Sequence, residues 1–178
     1  INNQIKKLYS LIGDIIVGIE GETSIEEELL KNFKKNKITL ALAESCTGGN
    51  IAARITKIPG SSVYYKGGII PYNTKIKQEI LKIPVELIHN FSVVSQEVAK
   101  AMALRTKSMF KSNISLAVTG NAGPTKGDSE EPIGIVYICI VNGKKVINYK
   151  FNFGKHRESV IEKAVNKSLE LLLLEVSG

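Results

Sequence analysis

Apolar residues along this chain change period several times, and each change marks a new element. Ser24-Ile25-Glu26-Glu27 has the form of a capping box, with Ser at the N-cap and Glu at the third helical position, and predicts a helix running to about residue 35. An apolar stretch over 38–43 predicts a buried strand, and a helix follows over 50–57. Pro59-Gly60-Ser61-Ser62 breaks the chain and predicts a short helical turn through Tyr65, with the serine pair either capping that turn or holding a phosphate. Residues 67–72 read as a strand, and Pro71 puts it at a sheet edge or strand end. Two short helical pieces follow at 74–81 and 84–89. Ser95 caps a helix over Gln96–Phe110, whose Val98, Met102 and Met109 recur at helical spacing and read as core filler. Residues 114–118 form a buried-type strand. Residues 134–142 and 145–153 alternate and are joined by Asn142-Gly143, a strong hairpin signal. A closing amphipathic helix covers 157–175. Strands alternating with helices, plus one hairpin, predict an α/β fold: a three-layer α/β/α sandwich over a mixed sheet of about five to six strands.

Residues 1–23 stand apart, with helical periodicity over 4–12, a short apolar run over 13–18 and a turn at 20–22. They are expected to be an N-terminal arm or a linker from a preceding domain, leaving 24–178 as the main domain. At 178 residues and 43% hydrophobic, the chain has material for one real core. No window reaches the roughly 18 unbroken apolar residues of a membrane span, and no signal peptide is visible. Two cysteines, Cys46 and Cys139, make no disulfide framework, which predicts a reducing, cytoplasmic setting. No CxxC or HxxxH spacing supports a metal site. The net charge of +7 falls largely on lysines in helical stretches, such as Lys31, Lys34, Lys35, Lys75, Lys77 and Lys82, which read as solvated faces. The aromatics do not interleave with them as a nucleic-acid stacking platform requires, so no nucleic-acid partner is expected. A small anionic substrate fits the charge.

The run Glu44-Ser45-Cys46-Thr47-Gly48-Gly49 carries the chemistry. It places two nucleophile-capable side chains, Ser45 and Cys46, between a strand end and a helix start, where α/β folds bind ligands and free backbone N–H groups favour an anion. A second glycine-containing loop, Thr119-Gly120-Asn121-Ala122-Gly123-Pro124, also follows an apolar strand. The phosphate signature GxxxxGK[ST], the GxGxxG fingerprint and the GxSxG elbow are all absent. Two histidines, His89 and His156, leave a Ser-His-acid triad thinly supplied, so the general base falls to a lysine whose pKa must be lowered by burial or by a nearby cation. Lys77 is the candidate, with Tyr72 five residues earlier as a proton relay.

These segments, with Pro59-Gly60-Ser61-Ser62, Tyr72 through Lys77, Val94-Ser95 and Pro132-Ile133-Gly134, closely resemble the C-terminal domain of the competence/damage-inducible CinA family. The resemblance covers about residues 24–175, and the family includes stand-alone nicotinamide-nucleotide amidases. It implies hydrolysis of the carboxamide of nicotinamide mononucleotide to nicotinate mononucleotide and ammonia, with no metal or cofactor. It implies Ser45 as nucleophile, Lys77 as base and Tyr72 as the relay between them. Arg157 would bind substrate or organise the site, and Thr119 would hold the carboxamide. The backbone of Cys46, Thr47, Gly48 and Gly49 would stabilise the oxyanion, and the loop with Gly120, Ala122 and Gly123 would contact the substrate. A homodimer is implied as well. The sequence departs from the family pattern at Pro71, Thr74, Lys75, Asn121 and Lys155-His156. The rival readings are a non-catalytic nucleotide-binding or regulatory module of a multidomain protein and, more remotely, a DNA-uptake accessory.

Overall fold

The computed structural model describes residues 23–177. The reading of 1–23 as an arm or linker lies almost wholly outside them. Five strands and six α-helices follow in the order α1 (Ile25–Asn36), β1 (Leu40–Glu44), α2 (Asn50–Thr56), β2 (Tyr65–Ile69), α3 (Thr74–Glu79), α4 (Val85–Phe91), α5 (Gln96–Phe110), β3 (Ile114–Gly120), β4 (Ile135–Asn142), β5 (Lys145–Asn152) and α6 (Arg157–Ser177). The sheet order is β2-β1-β3-β4-β5. β2, β1 and β3 run parallel, while β4 and β5 are antiparallel additions joined by the expected hairpin. The sheet is therefore mixed, and its three parallel strands open towards one edge.

The central strands β1, β3 and β4 are buried on both faces, as their unbroken apolar runs require. Alternate residues serve two separate cores. Leu40, Leu42, Ile114, Leu116, Val118, Val136, Ile138 and Ile140 pack against Leu29 and Phe33 of α1, Ile51 and Ile55 of α2, and Val160, Ala164, Leu169 and Leu172 of α6. On the other face Ala43, Ala117, Tyr137 and Cys139 meet Val98, Ala99, Met102 and Ala103 of α5. Small residues on both sides let α5 lie close to the sheet, where Ser115 Oγ donates to the Ala103 carbonyl at 2.7 Å. This gives the three-layer sandwich. Met109 departs from expectation: it is exposed at the end of α5, and only Met102 fills the core.

Local chemistry explains the ends of the elements. The Ser24–Glu27 capping box forms, and Ser95 Oγ accepts from the Val98 N–H. Tyr65, expected in a helical turn, instead opens β2, because the single 3₁₀ turn Ser61–Val63 ends two residues earlier. Ser61 is spent on that turn: its hydroxyl donates to the Ile55 and Ile58 carbonyls, so it is not free for a phosphate.

The junction of β1 with α2 is held by one carboxylate. Glu44 is 1% exposed. Its Oε2 accepts the Gly49 and Ile51 N–H groups, both at 3.0 Å, and its Oε1 accepts that of Ala52 at 2.8 Å. The buried charge is neutralised by the N-terminal donors of α2, and those donors find the acceptor that no side-chain cap supplies. Replacing Glu44 with Ala strands buried N–H groups and removes three charge-assisted bonds. The expected loss is about 3 kcal/mol or more of unfolding free energy. Urea denaturation measures it; an unchanged midpoint would contradict this role.

Candidate active site

The carboxyl ends of β1 and β3 lie side by side, with Glu44 opposite Val118. Ser45 extends that register by one residue, since its N–H donates to the Val118 carbonyl at 2.9 Å. The nucleophile candidate is thereby fixed to the sheet. Beyond it the chain curls through Gly48 (φ +61°) and Gly49 (φ +97°), two left-handed positions that suit glycine. Gly120 ends β3 against the same turn; a Cβ there would come within 2.9 Å of Cys46 Sγ and 2.7 Å of Val136 Cγ2.

β2 leaves the sheet on the same edge and runs through Pro71 and Tyr72 to Asn73. The Asn73 side chain caps α3 by accepting the Lys75 N–H. Lys77, on the inner face of α3, is 1% exposed. Its Nζ donates to the Pro71 carbonyl at 2.8 Å and to Ser45 Oγ at 3.0 Å. Burial lowers its pKa from 10.5 to about 8, against smaller opposing influences from Cys46 and Asp128. The lysine singled out from the sequence is thus the one that the fold brings directly onto Ser45.

Cys46 meets the opposite fate. Burial pushes its thiol up to about 12, so it stays protonated at neutral pH and is a poor nucleophile. Cys139 is likewise pushed up to about 12 by burial within the α5-side core.

A cavity of about 360 Å³ opens over the Ser45–Lys77 pair. It is lined by Ser45, Cys46, Thr119 and Gly120 from the strand ends, and by Tyr72, Asn73, Thr74 and Lys77 around the start of α3. Val93, Val94, the loop from Asn121 to Ser129 and Arg157 complete the wall. Arg157, the first residue of α6, donates from Nη1 to the Gly123 carbonyl and from Nη2 to the Tyr72 hydroxyl at 2.8 Å. It ties the loop after β3 to the segment after β2.

Several expected roles change in this geometry. Tyr72 is 58% exposed and its hydroxyl bonds Arg157, while Lys77 contacts Ser45 with nothing between them, so there is no gap for a tyrosine relay to bridge. Thr119 lines the cavity, yet its hydroxyl proton is committed to the Val93 carbonyl at 3.0 Å. Thr47, Gly48 and Gly49 do not line the cavity. The Gly48 N–H closes a turn onto the Ser45 carbonyl and that of Gly49 goes to Glu44, so neither is available to an oxyanion. Among the described residues the N–H of Cys46 donates to no carbonyl, and Cys46 does line the cavity. It is a backbone donor beside Ser45 that faces the cavity, the position from which an anion there would be held. Asn121 holds the loop in shape: its Nδ2 donates to the Glu131 carbonyl, and its backbone pairs with Gly134 and Ile135. The exposed His89 and His156 stand outside the cavity.

Sequence reasoning missed Val93, Val94, Thr74 and Asp128 as lining residues. Thr74 Oγ1 donates to Asp128 Oδ2 at 2.9 Å, closing the long polar loop onto α3. For Asp128 the length and polarity of that loop were the only signals available, whereas Thr74 and Val94 lie in segments that carry the family resemblance.

Known proteins resemble this chain in sequence and in fold. The CinA C-terminal domain family matches residues 22–176. A CinA-like protein of Flavobacterium psychrophilum is 47% identical over 176 residues, covering 99% of this chain and 42% of that protein. One of Prochlorococcus marinus is 42% identical over 173 residues, covering 96% and 40% respectively. The chain thus spans about two fifths of the length of these relatives. Among solved structures, a competence or damage-inducible protein from Enterobacter asburiae superposes with a TM-score of 0.82 at 27% identity, covering 85% of this chain and 96% of its own. The competence/damage inducible protein CihA from Agrobacterium tumefaciens gives 0.80 at 30% identity, covering 88% and 98%. On the match across almost all of its described residues, this chain belongs to the CinA C-terminal domain family.

Proposed function

We propose that this domain is an amidohydrolase that converts nicotinamide mononucleotide to nicotinate mononucleotide and ammonia by a serine–lysine mechanism. The observation that carries the reading is the 3.0 Å contact between a fully buried lysine amine and a serine hydroxyl at the floor of a cavity. A purely structural lysine has little reason to give up hydration for such a position, since burying its charge is costly. As a base it gains from that burial, because a pKa of about 8 leaves a useful neutral fraction at physiological pH.

The steps follow from the hydrogen bonds. As an ammonium, Lys77 donates to both Pro71 O and Ser45 Oγ. Once neutral it keeps one N–H on the Pro71 carbonyl, and its lone pair takes the other direction, where the Ser45 hydroxyl donates into it. Ser45 Oγ attacks the carboxamide carbon as its proton passes to Nζ. The carbonyl oxygen becomes an oxyanion beside the Cys46 N–H. Lys77 returns the proton to the leaving nitrogen and ammonia departs. That leaves an ester on Ser45, which water attacks with Lys77 again as base. The cavity cations Lys126 and Arg157 suit a phosphate-bearing substrate.

The test is ammonia release from nicotinamide mononucleotide. The wild-type domain is expected to release it in step with nicotinate mononucleotide, and Ser45→Ala to lose at least ~10³-fold in kcat. Tight nucleotide binding without ammonia release would instead favour the non-catalytic module. Unchanged turnover in Ser45→Ala would sink the serine mechanism.

The pH dependence has a fixed sign. Only neutral Lys77 can accept the serine proton, so kcat/KM is expected to rise with pH and to level off above about 8. The rise is about tenfold per pH unit well below that value, as for any single deprotonation. A profile that falls as pH rises from 6 to 8 would exclude Lys77 as the base.

A further inference from the structure

The cavity wall carries three cationic side chains, Lys77, Lys126 and Arg157, and a single carboxylate, Asp128. In a site for an anionic nucleotide the cations need no explanation, whereas the carboxylate does. Asp128 lies on the exposed loop after β3, yet it is held in a defined orientation by Thr74 Oγ1, which donates to its Oδ2 at 2.9 Å. Thr74 and Lys77 are three residues apart on α3 and so share a helix face. The carboxylate is thereby anchored above the same helix face from which Lys77 enters the cavity. Among the described residues, Asp128 forms no ion pair with Lys126, Arg157 or any other cation. Its second oxygen, Oδ1, accepts no protein hydrogen bond among them. In the open site water solvates this exposed carboxylate; a ligand that displaces that water meets an oriented negative group, to which a positive group is complementary.

We infer that Asp128 is a specificity residue that selects a cationic aromatic ring, so that the site favours a pyridinium amide over an uncharged aryl amide of the same shape. The inference rests on the amidohydrolase reading for the position of the carboxamide. With that group on Ser45, the positive centre of the nucleotide is the ring nitrogen, which lies meta to the carboxamide and bears the ribose, on the flank of the ring rather than at the reacting group. Lys77 occupies the floor and Arg157 is engaged with Gly123 and Tyr72, which leaves the Asp128 oxygen as the one negative group on the wall. Asp128 also acts on Lys77, favouring its ammonium form, as expected if its field reaches into the cavity.

Asp128→Asn separates charge from architecture, because the amide oxygen still accepts from Thr74. Binding is measured by calorimetry in the Ser45→Ala background, which prevents turnover. The two ligands are nicotinamide mononucleotide and its neutral C-nucleotide isostere, benzamide ribose 5′-phosphate. The dissociation constant of the pyridinium nucleotide is expected to rise roughly fivefold in Asp128→Asn, the order of one partly solvated charge pair, while that of the isostere stays unchanged. Asp128→Glu is expected to keep the preference. An equal change for both ligands would reduce Asp128 to a loop latch and overturn the inference, as would no change for either or no binding of either. Ammonia release by the wild-type domain is read separately. Charge-selective binding without ammonia would sink the amidohydrolase reading alone, and ammonia release without charge selectivity would sink this one alone.

Discussion

The site depends on the cost of burying one amine. Lys77 has given up water for two protein acceptors, Pro71 O and Ser45 Oγ, and a charge in that position is poorly compensated. The domain meets this by lowering the pKa of the group rather than by pairing it with an acid, since among the described residues no carboxylate lies within ion-pair distance of Nζ. The same burial that lowers the pKa of Lys77 raises that of Cys46 and keeps it a thiol. One environment therefore sorts two neighbouring nucleophile candidates: the serine has a lysine amine at 3.0 Å, and the cysteine is left to pack.

Everything that surrounds this pair serves to hold it still. The sheet register fixes Ser45 through Val118, and the Asn73 cap starts α3 so that Lys77 faces inward. Glu44 closes off the amino end of α2. That last arrangement has a chemical consequence. A helix start at a strand end is a ready anion site, but here an internal carboxylate already occupies it, and the Gly49 donor is not offered to the cavity. Arg157 works from outside, tying Gly123 and Tyr72 together across the mouth.

Much of this was legible in the chain. Continuous apolar runs gave the central strands, Asn142-Gly143 the hairpin, and the capping box the first helix, because these signals are local. Ser45 and Lys77 could be singled out because the sparse histidines left few other routes to a base. The roles of Tyr72, Gly48 and Gly49 were not legible, since they turn on contacts over long sequence separations. Tyr72 bonds Arg157, 85 residues away, and the Gly49 donor is claimed by a Glu44 side chain whose direction no spacing rule supplies. Asp128 was hidden for the same reason: a polar loop gives no period, and only the Thr74 contact shows where it folds back.

The central claim is that Lys77 titrates near neutrality because it is buried against Ser45. Direct NMR titration of the Lys77 side chain, with lysines isotopically labelled and the signal assigned through Lys77→Arg, tests it without any substrate. A midpoint at about 8 is the expected result. A midpoint at the ordinary lysine value of 10.5 or above would contradict the account, since Lys77 would then stay charged throughout the physiological range and could not take a proton from Ser45.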